Sequence, residues 1–153
     1  MKSFQGPANW RSAMDLALVE AAASGRQGDV PVGAVIVASD GSSVIAQGHN
    51  QRQAQGDPLA HAEIEALRAV NSWNLADCTL VVTLEPCPMC AGAALASHLG
   101  RIVFGAWDPK LGACGSVWDL ARDPHIGHQP EIIGGVEEER CSALLQEFFS
   151  TKR

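Results

Sequence analysis

Hydrophobic residues at the start of the chain recur at steps of three and four positions. Trp10, Met14, Ala17 and Ala21 follow this spacing, which aligns side chains on one face of an amphipathic helix. Helical spacing returns three more times further along the chain. The pattern predicts four helices, the first ending before Gly25 and the others at residues 60–70, 87–98 and 137–149.

Short runs rich in β-branched residues lie between these predicted helices. The first two runs flank Ser39-Asp40-Gly41, a turn sequence whose Asp-Gly pair tolerates positive φ, and this arrangement predicts a β-hairpin. Residues 51–58 and 108–115 are polar or glycine-containing and predict loops. The predicted strands are residues 33–37, 44–47, 79–83, 101–105 and 131–133.

Alternating strands and helices indicate the α/β fold class. We expect a three-layer α/β/α sandwich with helices on both faces of a central sheet, and the hairpin at its start makes that sheet mixed rather than purely parallel. The 153 residues show no internal repeat or linker. A chain of this length predicts a single domain spanning residues 1–153.

Composition and charge narrow the class of protein. The chain is 46% hydrophobic and 18% charged, which is typical of a compact globular fold. It has no apolar run of membrane-spanning length and no signal-peptide core at its start, so a cytoplasmic location is expected. The net charge of −6 argues against a broad, non-specific hold on nucleic acid. Any contact with RNA must therefore use a local patch.

Two short motifs carry candidate chemistry. His61 and Glu63 lie two positions apart, and Cys87 and Cys90 lie three positions apart, each pair at the start of a predicted helix. Residues three apart share one helix face, so both sulfurs can bind one metal ion. One imidazole and two thiolates leave the fourth position of tetrahedral zinc for water, as catalytic zinc sites require. The odd number of cysteines, five, also favours thiols or metal ligation over disulfides.

Each motif alone has other interpretations. A solitary Cys-x-x-Cys occurs in redox pairs and in halves of structural zinc sites, and His-x-Glu is common by chance. A redox pair would have no need of His61 and Glu63. A structural site would need a fourth ligand such as Cys78 or Cys114, for which the sequence offers no paired spacing. The combination of the two motifs therefore favours catalytic zinc.

The two motifs together resemble the H-x-E and P-C-x-x-C signature of the zinc-dependent deaminases. Further segments are similar to the bacterial tRNA-specific adenosine deaminase family. That resemblance implies a cytidine-deaminase fold, one zinc ion per chain, a homodimer, and conversion of adenosine to inosine at the wobble position of a tRNA anticodon. The matching segments are Val30-Pro31-Val32-Gly33-Ala34, Asp57-Pro58, Glu85-Pro86-Cys87-Pro88-Met89-Cys90-Ala91-Gly92-Ala93, Val103-Phe104-Gly105-Ala106 and Gly112-Ala113.

The resemblance also implies roles for individual residues. It makes His61, Cys87 and Cys90 the zinc ligands and Glu63 the catalytic proton shuttle. It further implies that Asn50 and Asp108 bind the substrate, the tRNA anticodon loop. From their local sequence alone, Asn50 and Asp108 are also ordinary turn or cap residues.

The sequence departs from the family pattern at several points that bear on RNA binding. Leu59 and Gly127 stand where the family often has threonine and asparagine, and a short tail ends at Lys152-Arg153. Two other functions stay open: deamination of a free base or nucleoside such as guanine or cytidine, and a non-catalytic zinc-binding module. The residues expected to contact phosphates are Lys110, Arg122, Lys152 and Arg153.

Overall fold

The computed structural model of the chain describes residues 7–152. Within that range the structure contains the four helices and five strands that the hydrophobic pattern predicts, in the predicted order, and one further short helix. A short 3-10 turn, Leu120–Arg122, follows the fourth strand. In chain order the elements are α1 (Pro7–Arg26), β1 (Gly33–Val37), β2 (Val44–His49), α2 (Arg52–Gln55), α3 (Ala62–Ala69), β3 (Thr79–Leu84), α4 (Pro88–Ala96), β4 (Arg101–Ala106), β5 (Glu131–Ile133) and α5 (Glu138–Thr151).

The five strands form one mixed sheet in the order β2-β1-β3-β4-β5. β1 pairs antiparallel with both β2 and β3, whereas β3, β4 and β5 run parallel to one another. The expected hairpin is present, and the Asp40 carboxylate accepts backbone hydrogen bonds from Ser42 and Ser43 in its turn. The mixed sheet predicted from the sequence is confirmed.

Helices cover both faces of the sheet, as the continuous apolar run of β1 requires. Ala34 and Ile36 point into the cluster formed with α3 and α4, and Val35 and Val37 point into the cluster formed with α1 and α5. All five residues of β1 are buried, because successive side chains of a strand face opposite layers. The α/β/α sandwich is thus confirmed.

Two glycines let helices approach the hairpin very closely. A Cβ atom at Gly33 would lie 1.9 Å from the carbonyl oxygen of Ala17 in α1, and one at Gly48 would lie 2.7 Å from the carbonyl oxygen of Ala62 in α3. These positions exclude any larger side chain, since a real Cβ does not approach other atoms so closely. The contact at Gly48 brings the start of α3 against the end of β2.

The predicted starts of α3 and α4, the helices that carry the two motifs, are wrong. His61 and Cys87 were expected inside the first turns of their helices, but each lies one residue before the helix, in extended conformation, at the N-cap position. The loop before His61 is shaped by Asp57, whose carboxylate accepts a hydrogen bond from the Leu59 N–H. Pro88, at the first position of α4, favours a helix start there.

Helix α2 lies inside residues 51–58, which the sequence pattern assigned to a loop. Its N-terminal N–H groups at Gln53 and Ala54 donate to the buried carboxylate of Asp29. Because Asp29 lies 24 and 25 positions away from these donors, no local pattern could have shown the cap.

The last helix also differs from its predicted bounds, since α5 begins at Glu138 and extends to Thr151 rather than spanning 137–149. None of the helices described in residues 7–152 is both long and apolar enough to cross a membrane.

Candidate active site

A cavity of about 640 Å³ opens at one edge of the sheet. The parallel strands β3 and β4 both end at this edge, which is where ligands bind in open α/β sheets. Because β1 runs antiparallel to β3, its first residues and the last residues of β2 reach the same edge. The cavity is therefore lined by the segments that follow β2, β3 and β4, together with residues from α3 and α5.

The two sequence motifs meet in this cavity. His61 Nδ1 lies 3.4 Å from the Cys90 Sγ and 3.7 Å from the Cys87 Sγ. The three ligand atoms all lie within 4.8 Å of one another. His61 and Cys87 are half-buried and line the cavity, whereas Cys90 is fully buried.

These distances suit a zinc ion. With Zn–S of about 2.3 Å and Zn–N of about 2.0–2.1 Å, ligand atoms at the corners of a tetrahedron lie roughly 3.5–3.8 Å apart. The separations from His61 Nδ1 to Cys87 and Cys90 match those edges closely. Within residues 7–152, this is the group of histidine, cysteine and acidic side chains that could hold a metal ion.

The charges of the cluster also favour a cation. A hydrogen bond from Cys90, together with His61, lowers the pKa of Cys87 to about 4. That thiolate in turn raises the pKa of Cys90, and burial raises it further. A metal cation between the two sulfurs would remove this conflict, because a coordinating thiol is deprotonated outright. The N-termini of α3 and α4 point their partial positive charges at the same place, which stabilises thiolates.

Glu63 lies in the first turn of α3 and lines the cavity beside the cluster. It is only 4% exposed. Burial raises the pKa of its carboxyl group to about 7, because a charged carboxylate is poorly solvated there. A buried carboxyl group beside a metal cluster can exchange protons with whatever occupies the cavity, which is the role that the family resemblance implies for Glu63.

Asn50 and Asp108 also line the cavity. Asn50 directly follows β2, and Asp108 lies two residues after the end of β4. The Asn50 amide donates to the carbonyl of Val30 and accepts from the Arg52 N–H. Asp108 uses one oxygen, Oδ1, to accept hydrogen bonds from the N–H groups of Lys110 and Leu111. Both residues thus hold their own loops, as the turn interpretation expects. Their proposed contact with substrate stays a prediction.

Comparison with known proteins decides the family. The family described as Cytidine and deoxycytidylate deaminase zinc-binding region matches residues 8–106. A tRNA-specific adenosine deaminase of Bacillus subtilis is 43% identical over 144 residues, covering 92% of this chain and 88% of its own length. The chain belongs to the tRNA-specific adenosine deaminase family. This membership confirms the family that the resemblance of the motifs indicated.

Solved structures agree with this assignment. A structure from a study of A-to-I editing by tRNA:A34 deaminases has a TM-score of 0.83 and 39% identity, covering 88% of this chain and 99% of the other. A guanine deaminase of Nitrosomonas europaea has a TM-score of 0.72 at 24% identity, covering 98% of this chain and 87% of the other. At that identity the second likeness concerns the fold alone. The cytidine-deaminase fold and a zinc cofactor are therefore established for this member of the family.

Glu85 is a site residue to which the sequence interpretation assigned no role. It follows β3 directly and is only 2% exposed. Its carboxylate accepts backbone hydrogen bonds from Asp108, Cys114 and Ser116, and another from the Ser116 hydroxyl. A methyl group at Gly112 would lie 2.3 Å from its Oε1, so the loop wraps tightly around it. A carboxylate at the end of a buried strand was the available signal, but its partners lie 23 to 31 positions away.

The residues predicted to contact phosphate differ in their surroundings. Lys110 lines the cavity. Arg122 forms an ion pair with Asp119, and the Lys152 ammonium lies over the ring of Phe148. Arg153 lies outside the described residues. Arg52, which the sequence analysis did not single out, also lines the cavity.

The zinc assignment predicts different results for two cysteine substitutions. Cys90→Ala should reduce bound zinc from about one ion per chain to a small fraction, because it removes one of three protein ligands. Cys78→Ala, a control at a cysteine outside the cluster, should leave zinc content unchanged. Elemental analysis of the purified proteins, with circular dichroism to verify folding, measures this. Full zinc in Cys90→Ala, or its loss in Cys78→Ala, would contradict the ligand assignment.

The network around Glu85 predicts a loss of stability in Glu85→Gln. The amide would turn a donor towards N–H groups that need an acceptor, so the free energy of unfolding should fall by about 1.5–3 kcal/mol. Zinc content should persist, because no metal ligand is altered. Denaturant unfolding checks the change, and Glu147→Gln, at an exposed site on α5, should stay within about 0.5 kcal/mol of the unmodified protein. Equal unfolding midpoints for the two variants would show that the network contributes nothing to stability.

Proposed function

We propose that this chain is a zinc-dependent hydrolase that deaminates adenosine to inosine at the wobble position of a tRNA anticodon. Water replaces the 6-amino group, which leaves as ammonia, so adenosine and water give inosine and ammonia. The observation that carries the proposal is the convergence of His61, Cys87 and Cys90 beside Glu63 in one cavity. The relatives named above support the adenosine and tRNA parts of it.

In this proposal His61, Cys87 and Cys90 hold the zinc ion. When bound, zinc supplies the Lewis acidity that makes a water molecule nucleophilic at neutral pH. The three ligands come from the N-termini of two helices, so backbone dipoles support the negative charge that accumulates at the site.

Glu63 carries the protons in the proposed reaction. Its carboxylate takes a proton from the attacking water and delivers it to ring N1 of adenine, and a second transfer goes to the departing amino group. A positioned carboxyl group of this kind contributes about 10²–10⁴ in rate. Its burial beside the cluster supports this assignment, since the proton never needs to leave the cavity.

The cavity has room for a whole nucleoside. Its volume of about 640 Å³ falls in the range of small-molecule sites, which is about 300–1,000 Å³. We propose that Asn50 and Asp108 bind the nucleoside through the hydrogen-bonding groups that their loop contacts do not use. The Asn50 amide retains a second N–H and a second lone pair, and among residues 7–152 Asp108 Oδ2 has no hydrogen-bond partner. That oxygen can accept a hydrogen bond from a substrate hydroxyl or amino group.

The acidic character of the chain limits how RNA can be held. With a net charge of −6, only a few phosphates can be neutralised, and Lys110 and Arg52 at the cavity are the best placed to do so. The affinity should then fall with salt by a slope of only about −0.7 per neutralised phosphate. Splayed bases of a single-stranded loop supply the remaining contacts.

We also propose that residues 1–153 form a single deaminase domain and that the protein works as a homodimer in the cytoplasm. The coverage of 88% and 99% of the two relatives' lengths supports the single domain, and the homodimer and the cytoplasmic location are what the family resemblance implies.

Glu63→Gln tests the proton shuttle. The rate of deamination should fall at least about 10²-fold, while zinc content and unfolding midpoint persist, because the amide cannot carry a proton and is not a zinc ligand. Glu65→Gln is the matched control: the same change lies two positions further along α3, outside the cavity lining, and should leave the rate unchanged. A rate in Glu63→Gln equal to that of the control would assign the proton transfer to another group.

A comparison of substrates tests the activity itself. An anticodon stem-loop with adenosine at the wobble position should show kcat/KM at least about 10²-fold above that of free adenosine, adenine, guanine or cytidine, because free bases lack the stacking and phosphate contacts. Inosine and ammonia are measured at two salt concentrations. A matched stem-loop with guanosine at the same position is the control.

The opposite result has an equally definite meaning. Turnover of guanine or cytidine, with no turnover of the stem-loop, would reject the tRNA assignment. The protein would then be a deaminase of free bases or nucleosides, a function found on the same fold in the guanine deaminase. Zinc binding without turnover of any substrate would favour a non-catalytic zinc module.

A further inference from the structure

An aromatic side chain stands beside the reacting groups without a role in the chemistry. Trp107 directly follows β4 and lines the same cavity as His61 and Glu63. It precedes Asp108, the residue whose free carboxylate oxygen faces substrate in the proposed function. Although it is a large apolar residue, it is 43% exposed, so burial in the core does not account for its presence here.

The Trp107 ring is nevertheless held firmly. Its ring packs edge-on against Phe104, with centroids 4.7 Å apart and planes at 90°. A methyl group at Gly134 would lie only 2.7 Å from its Cζ2, and one at Gly115 would lie 3.4 Å from its Cζ3. The backbone at these two glycines thus packs against the six-membered ring of the indole, while 43% of the residue stays exposed. A ring fixed in this way loses little conformational entropy when a second flat group stacks on it.

The cavity has room for one nucleoside, so the nucleotides adjoining it must pass over its rim. An RNA loop that delivers its adenosine to His61 and Glu63 carries the neighbouring base only one backbone unit away. Exposed, rigid aromatic rings bind splayed RNA bases by stacking, with little dependence on base identity. Trp107 is the tryptophan of residues 7–152 that lines this cavity.

We propose that Trp107 is a stacking site for the base adjoining the target adenosine. The proposal rests on the proposed function, since only an RNA substrate has an adjoining base. It gives the chain a means of preferring an RNA loop to a free nucleoside that does not depend on positive charge, which this acidic chain has little of. The ligand of this second site is a purine or pyrimidine ring in single-stranded RNA.

Three variants and two modified RNAs test the proposal. Trp107→Ala should lower kcat/KM for the anticodon stem-loop by about 5- to 100-fold, mainly through KM, as expected for the loss of one stacked base. Trp107→Phe should recover most of the efficiency. Trp118→Ala is the matched control, because Trp118 is equally exposed at 44% but does not line the cavity. Turnover of free adenosine should be unchanged in Trp118→Ala, and in the two Trp107 variants it should fall much less than turnover of the stem-loop.

Abasic RNA supplies the readout that a merely structural role would not affect. Stem-loops lacking the base on the 5′ or the 3′ side of the target are compared on the unmodified protein and on Trp107→Ala. At one of these positions, removal of the base should lower kcat/KM of the unmodified protein by about the same factor as Trp107→Ala does on the intact stem-loop. Removal of the same base should not lower kcat/KM of Trp107→Ala any further. Such coupling identifies which base stacks on the indole.

Other outcomes overturn the proposal. Equal abasic penalties in the unmodified protein and in Trp107→Ala would exclude stacking on this residue. If Trp107→Ala does not fold, the unmodified protein alone still tests the proposal. An adjoining-base site is excluded if removal of neither base lowers its kcat/KM. Failure of the unmodified protein to turn over the intact stem-loop would instead reject the proposed function, and so is distinguishable from failure of the stacking site alone.

Discussion

Helices α3 and α4 both begin at the sheet edge where β3 and β4 end, and the site depends on that convergence. It brings His61 Nδ1 within 3.7 Å of the sulfurs of Cys87 and Cys90, although the histidine lies 26 and 29 positions away in the chain. It also directs two helix dipoles at one point, where they favour thiolates. The close approach of α3 to β2 at Gly48 is one of the contacts that sets this geometry.

The loop after β4 is held to the same place by the Glu85 carboxylate. One buried acid two positions before Cys87 organises Asp108, Cys114 and Ser116. The metal cluster and the opposite wall of the cavity are therefore tied together through a single short segment. A strand end that accepts so many hydrogen bonds leaves the loop little freedom, so groups on it, including Trp107, occupy defined positions relative to the zinc ligands.

The electrostatic character of the protein constrains its use of RNA. Proteins that hold nucleic acid by charge rely on many phosphate contacts, and a chain with a net charge of −6 cannot form many. Recognition must then come from the shape of the cavity, from hydrogen bonds to one nucleoside and from contacts with bases. This division agrees with a cavity in which aromatic and apolar residues share the lining with many polar and charged ones.

Local patterns in the sequence were enough to predict four of the five helices described in residues 7–152, the five strands, the layered α/β fold and a zinc site at His61, Cys87 and Cys90. The role of Glu63 came from the resemblance to a known family. Helical and strand periodicities extend over neighbouring residues, and the ligand spacing of Cys87 and Cys90 lies within one turn. Only the tertiary structure decided that His61 and Cys87 lie at the N-cap positions of their helices, that Asp29 caps α2, that Glu85 holds the loop and that Trp107 borders the cavity. Each of these depends on atoms that are distant in the chain and become neighbours through strand pairing and helix packing, and the periodicity of a single segment carries no information about such partners.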